Sequence, residues 1–145
     1  MPVVEETILI KRPRDEVFAF ATDPANVPLY SSNLVEFEQT SEGPVGKGTT
    51  NRGVVKVAGK SLHWTAEVSE FDPGKRYVSR SIESPMGWEM RVTYEDDGGD
   101  TLVHWRQETD SFGGFFGKLA DPLVTRMYAK DVKSNLEKLK ELLEA

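Results

Sequence analysis

A chain of 145 residues with no cysteine has no thiol chemistry to offer. Disulfides, thiolate catalysis and Cys-based metal sites are closed to it. The natural general acid or base would be one of the two histidines, His63 or His104. Each directly precedes a tryptophan, Trp64 or Trp105, in a segment where apolar and polar residues alternate. Neighbours in a strand point to opposite faces. Tryptophans turned to the interior therefore send both histidines to the solvent side, unless a bulge intervenes. The same separation argues against a His-centred metal site, and the Asp and Glu residues fall mostly on exposed faces or in turns. Serines are numerous, but there is no Gly-x-Ser-x-Gly elbow and no histidine placed to activate one. The glycines from Gly43 to Gly48 lack the Lys and Ser/Thr of a phosphate loop, and a strand follows them. They read as a turn. What is left is Tyr30, Tyr77, Tyr94, Gln107, Thr109 and Tyr128. These can orient a ligand that carries carbonyl or hydroxyl groups, or can equally make internal hydrogen bonds. No catalytic residue, metal ligand or cofactor is assigned.

Those groups need elements to hold them. Val3 to Ile10 is rich in β-branched residues and reads as a strand. Pro13 falls where a helix begins, followed by Asp15 and Glu16 where the helix dipole favours acid. Val17, Phe20 and Ala21, with Phe18 beside them, supply its apolar face. Asp23 and Pro24 repeat the start signal for a second short helix, which Pro28 limits. From Asn33 the period changes to two, which predicts strands over residues 33–40, 49–57, 60–71, 76–82, 88–95 and 101–109. Turn residues separate them, among them Ala58-Gly59 and Asp72-Pro73-Gly74. The end is helical, with Leu119, Leu123, Met127, Val132, Leu136, Leu139 and Leu143 recurring at steps of three to five. Pro122 lies early in this segment. Either the helix begins there with Asp121 as its cap, or a turn over residues 116–120 meets it at a kink, which is the preferred reading. No repeat or linker interrupts the chain, and residues 1–145 read as a single domain.

The strand faces carry the argument. Leu62, Trp64, Ala66 and Val68 share one face, as do Trp88, Met90, Val92 and Tyr94, and as do Val103, Trp105, Gln107 and Thr109. All three tryptophans lie on that side and most of the charges on the other, the signature of a one-sided antiparallel sheet. The C-terminal helix is the only long apolar surface left to cover it. A wide, bent sheet cannot be filled flush by one long helix and two short ones, so a cavity is expected beside a solid-core alternative. Its lining would be Tyr30, Trp64, Trp88, Met90, Tyr94, Trp105, Gln107, Leu123 and Met127. Phe116, next to Phe115 and flanked by Gly113, Gly114 and Gly117, is either a gate at the mouth or an anchor for the helix start.

Bulk properties narrow the partners. The chain is 38% hydrophobic and 29% charged, which suits a folded globular protein rather than a disordered acidic one. A formal net charge of -6 argues against nucleic acid and anionic membranes as partners. No apolar stretch approaches the ~20 residues of a membrane span. Residues 1–10 carry Glu5 and Glu6 and do not read as a signal peptide, so the cytoplasm is the expected compartment.

The order of elements and several local motifs resemble the START-like, or SRPBCC, superfamily, nearest to its polyketide cyclase/dehydrase and lipid-transport group. The resemblance is carried by "IKRPRDEVFAFATD" (Ile10 to Asp23) with Pro24, by Gly46, Gly48 and Thr49 at the entry to a strand, by "VSEFDP" (Val68 to Pro73), and by the final Leu136 to Leu143 run. It implies an α+β helix-grip fold. A curved, seven-stranded antiparallel sheet would wrap the long C-terminal helix, with two short helices after the first strand and a deep apolar pocket between sheet and helix. The His, His and carboxylate iron ligands of the oxygenase branch are missing, and no cyclase catalytic motif can be carried over. Fold does not fix function. The leading expectation is binding or transport of a small hydrophobic molecule: a lipid, an isoprenoid or an aromatic polyketide-like compound. A cyclase/dehydratase-type enzyme comes next, then a protein-interaction module. Ligand identity and oligomeric state are not legible.

Overall fold

A computed structural model describes residues 2–111, 115–116 and 120–145. Within it β1 (Val3–Ile10) is followed by two helices, α1 (Arg14–Thr22) and α2 (Val27–Tyr30). Six strands follow in succession: β2 (Leu34–Gln39), β3 (Thr50–Val57), β4 (Lys60–Asp72), β5 (Arg76–Glu83), β6 (Trp88–Asp97) and β7 (Asp100–Thr109). Helix α3 (Asp121–Glu144) closes the chain. Among the described residues the seven strands form one antiparallel sheet in the order β1-β7-β6-β5-β4-β3-β2. The meander from β2 to β7 follows from short turns between strands. β1 and β2 sit at opposite edges, so α1 and α2 carry the chain across the sheet between them. This is the helix-grip arrangement implied by the resemblance.

Local chemistry explains each start and stop. Pro13 caps α1 from an extended conformation, with Asp15 and Glu16 in the first turn. The helix buries Val17, Phe18, Ala21 and Thr22. Phe18 takes the place expected for Phe20 and meets both Phe71 and Tyr94 edge-on, with ring centroids 5.1 Å apart in each case. Pro28 opens α2 instead of limiting it. It sits in the first turn, where its missing N–H is not needed, after a turn held by the Asp23 carboxylate on the Ala25 N–H at 2.9 Å. α3 begins at Asp121 with Ala120 as the N-cap and Pro122 in the first turn. Asp121 is thus the first helical residue, not the cap. Leu119 and Gly117, part of the turn expected to meet the helix at a kink, lie outside the described residues.

The sheet bends at its register shifts, in β2 between Leu34 and Glu36 and in β4 between Thr65 and Ala66 and between Val68 and Glu70. The last shift changes the parity of β4. Val68 faces inward, and past the bulge Phe71 does too, paired with Tyr77. Two close approaches matter. Gly53 on β3 lies opposite Trp64, and a Cβ there would fall 2.9 Å from the Glu36 carbonyl oxygen and closer still to the indole. Glycine is the residue that lets the Trp64 ring lie across the strand. At the β3–β4 turn, Ala58 (φ 50°) and Gly59 (φ 81°) both take positive φ, the two-residue geometry that prefers Asn-Gly.

Two substitutions test these local requirements. Gly53→Ala is expected to destabilise the fold by roughly 1–3 kcal/mol and to shift tryptophan emission, as the indole is pushed off the strand. Ala58→Asn is expected to stabilise by about 1 kcal/mol, by relieving left-handed strain. Thermal or denaturant unfolding followed by fluorescence checks both signs.

Candidate functional site

The inner face of the sheet does not meet α3 everywhere. Between them lies a cavity of about 210 Å³, lined by all three tryptophans together with Tyr30, Tyr77, Tyr94 and Tyr128. An apolar void of ~150 Å³ already accepts benzene, so this one is large enough for a bigger small molecule. Strand parity supplies most of the wall: Leu62 and Trp64 from β4, Trp88, Met90, Val92 and Tyr94 from β6, and Val103, Trp105, Gln107 and Thr109 from β7. Helix α3 adds Tyr128, Val132, Asn135, Leu136 and Leu139. Trp64 packs edge-on against Trp88 (5.6 Å) and tilts toward Phe37 (6.1 Å), while Trp105 meets Tyr128 at 6.2 Å. The link between β2 and α3 is polar. The Asn135 amide nitrogen donates to Asn33 Oδ1 at 3.0 Å, and its oxygen accepts the Ser32 N–H at 3.1 Å.

Of the residues expected to line the site, Tyr30, Trp64, Trp88, Met90, Tyr94, Trp105 and Gln107 are brought together there. Three are not. Leu123 and Met127 are 42% and 39% exposed, and the helix buries Val124, Val132, Leu136, Leu139 and Leu143 instead. The step of five from Met127 to Val132 turns the helix by ~500°, about 140° off the stripe. The continuous stripe runs through Val124 and Tyr128. Phe116 is buried with Val57, Leu62, Met86 and Val124, behind the wall and not on it. Beside it the Lys60 ammonium donates to the Phe115 carbonyl at 2.7 Å and sits 4.9 Å from that ring's centroid. Gly113, Gly114 and Gly117, which flank the pair, lie outside the described residues. Asn51 and Ser79 also line the cavity, and sequence reasoning passed over both. The parity of β3, with Val55 and Val57 inward, was the signal that could have found Asn51.

The polar groups are neutral hydroxyls and amides. No Asp, Glu, Lys, Arg or His lines the cavity among the described residues, and His63 is exposed on the outer face. Tyr30 donates to the Ala21 carbonyl at 2.6 Å. Tyr128 donates to Gln107 Oε1 at 3.0 Å, and the Gln107 amide nitrogen donates in turn to Thr109 Oγ1 at 3.3 Å. The hydroxyls of Tyr77 and Tyr94 have no hydrogen-bond partner among the described residues and face the cavity. Burial pushes the Tyr77 phenol up to about 12. Burial raises Tyr30 and Tyr94 further, and charge on a neighbouring phenol adds to it: Tyr77 for Tyr30, and Tyr30 and Tyr77 for Tyr94. Tyr128 is raised by burial and by Asp131, partly offset by its bond to Gln107. All four phenols are therefore neutral hydrogen-bond donors at physiological pH, and none can serve as a base there.

The tyrosines also set an alkaline limit. Below the ordinary phenol value of 10.0 the folded and unfolded chains hold the same phenolic protons. Above it the unfolded chain releases them first, so stability falls as pH climbs from 10 toward about 12. A spectrophotometric titration is expected to show no phenolate near pH 10 and a cooperative rise at higher pH that coincides with loss of structure.

Among the described residues no cluster of three or more His, Cys, Asp or Glu side chains is placed to hold a metal, and no helix is long and apolar enough to cross a membrane. No curated protein matches the chain. Solved structures do. The protein TTHA0849 from Thermus thermophilus superposes with a TM-score of 0.84 at 25% identity, over 97% of this chain and 95% of that one. A START superfamily protein from Mycobacterium smegmatis gives 0.79 at 14% identity, over 98% and 97%. The Zhui aromatase/cyclase from Streptomyces sp. R1128 gives 0.77 at 21% identity, over 98% and 93%. The family model described as polyketide cyclase / dehydrase and lipid transport matches residues 1–144. A curled sheet gripping a C-terminal helix over a neutral, aromatic-walled cavity, and a family match along nearly the whole chain, make this protein a member of the polyketide cyclase/dehydrase and lipid-transport family.

Proposed function

We propose that the protein binds a small, uncharged, largely apolar molecule in the cavity between sheet and α3. The observation that carries this reading is the composition of the wall. Three tryptophans, aliphatic side chains and neutral hydroxyl and amide groups surround about 210 Å³, with no charged side chain among the described residues. Affinity comes from removing apolar ligand area from water, at ~25 cal/mol per Å² before the costs of ordering. A charged ligand would lose its hydration with no counter-charge to replace it. The free hydroxyls of Tyr77 and Tyr94 are matched to a carbonyl or hydroxyl oxygen on the ligand.

Catalysis of the cyclase type ranks second on the same observation. An aldol-type closure needs a group that removes a proton, and among the described residues the wall offers none that ionises near neutrality. The tyrosines could stabilise developing negative charge on a carbonyl oxygen, but that is half of the chemistry. The carrier or receptor reading needs no such group. A protein-interaction module would leave the cavity without a purpose.

Native mass spectrometry of the protein purified from its own host is expected to show added mass that disappears on denaturation. Trp105→Ala, if folded, is expected to weaken calorimetric binding of 2-naphthol by about tenfold, as truncation of a central aromatic contact does. A bare chain mass together with no measurable 2-naphthol binding would count against the proposal.

A further inference from the structure

Asn51 sits on β3, is only 4% exposed and lines the cavity. Its Oδ1 is fully buried with no hydrogen-bond partner among the described residues. Folded interiors rarely leave a buried amide in that state, because it has given up water and gained nothing. Neither of its register partners supplies the missing bond. Across β4 it faces Ala66, which carries no polar side-chain atom. Across β2 it faces Gln39, whose amide nitrogen already donates to the Ser41 and Gly43 carbonyls at 2.9 and 2.8 Å. The diagonal neighbour on β4 is Trp64, whose indole stacks edge-on with Trp88. An unsatisfied amide beside an aromatic wall is a place built for a polar group attached to a ring.

We propose that Asn51 is the anchor for a hydroxyl group on the bound molecule, and so selects phenols and alcohols over their hydroxyl-free counterparts. This rests on the reading of the cavity as a ligand site. A hydroxyl both donates and accepts, so it satisfies the amide whichever way its oxygen and nitrogen are turned. An ether or ketone oxygen would serve only the nitrogen and leave Oδ1 bare. A carboxylate would enter a wall that holds no cation among the described residues. Discrimination by a buried polar group follows from the penalty of leaving it unpaired, not from added apolar contact.

Calorimetric titration with 2-naphthol and with naphthalene tests this, since the two share a ring system and differ by the hydroxyl. Wild-type protein is expected to prefer 2-naphthol by about tenfold or more. Asn51→Leu, close in size, should erase that preference and bind naphthalene at least as tightly as wild type. Its Tm should be unchanged or higher, because the orphaned amide is gone. If leucine's branching prevents folding, Asn51→Ala takes its place with the same expected loss of preference. Equal binding of the two probes by wild type, or a preference that survives in the folded variant, overturns the assignment to Asn51 and leaves the cavity reading standing. Failure of both probes to bind overturns this assignment, and together with a bare chain mass in native mass spectrometry it overturns the cavity reading as well.

Discussion

The structure turns on a mismatch of width. Seven strands at ~4.8 Å spacing span ~29 Å, while a helix with its side chains is only ~10 Å across. α3 lies chiefly along β1 at one edge, and Val132, Leu136, Leu139 and Leu143 are spent there and on the adjoining core, while Val124 packs with Val57, Leu62, Met86 and Phe116. α1 packs against β6 and β7 with Phe18 between Phe71 and Tyr94. Over the stretch of inner face that carries Trp64, Trp88 and Trp105, α3 brings Tyr128 against Trp105 and leaves the cavity beside it. Curling the sheet at its bulges narrows the gap without closing it.

What fills a gap of this kind decides its function. Apolar walls with nothing between them lose the dispersion contacts that a close-packed interior would have. A ligand that restores those contacts is held by the same physics that packs a core. Aromatic rings suit the task, since they present large rigid faces and edges at little cost in side-chain freedom. Strand parity turns Trp64 inward, and a glycine on β3 leaves room for its ring to lie across that strand. One missing methyl group on one strand thus shapes the wall on the next.

Polar groups in such a wall act as specificity more than as affinity. Tyr30, Gln107, Thr109 and Tyr128 are bonded within the protein, which holds their rings and amides in place. Tyr77, Tyr94 and Asn51 are not, and so have capacity to offer. Burial keeps the phenols protonated, which makes them donors and denies them the role of base. A site of neutral donors and acceptors can recognise an oxygen-bearing molecule while leaving its bonds intact.

Strands, their inner faces and the three tryptophans were legible in the sequence because a period of two is short and repeats within one element. Trp64, Trp88, Met90, Tyr94, Trp105 and Gln107 follow from parity alone, and they line the cavity. The helix was harder. Leu123 and Met127 are as suited to a core as Val124 and more apolar than Tyr128, so composition does not reject the wrong stripe, and only packing against the sheet selects the rotation that exposes them. Asn51 had the right parity but the wrong type for a core reading, and nothing local reveals that its amide would be left without a partner. The sequence by itself determined which strand residues face inward between bulges, since strand alternation is a local property of the backbone. The tertiary structure decided whether that interior is solid or hollow, and which polar groups in it stay unsatisfied. Those outcomes depend on the distance between elements far apart in the chain, which no local pattern encodes.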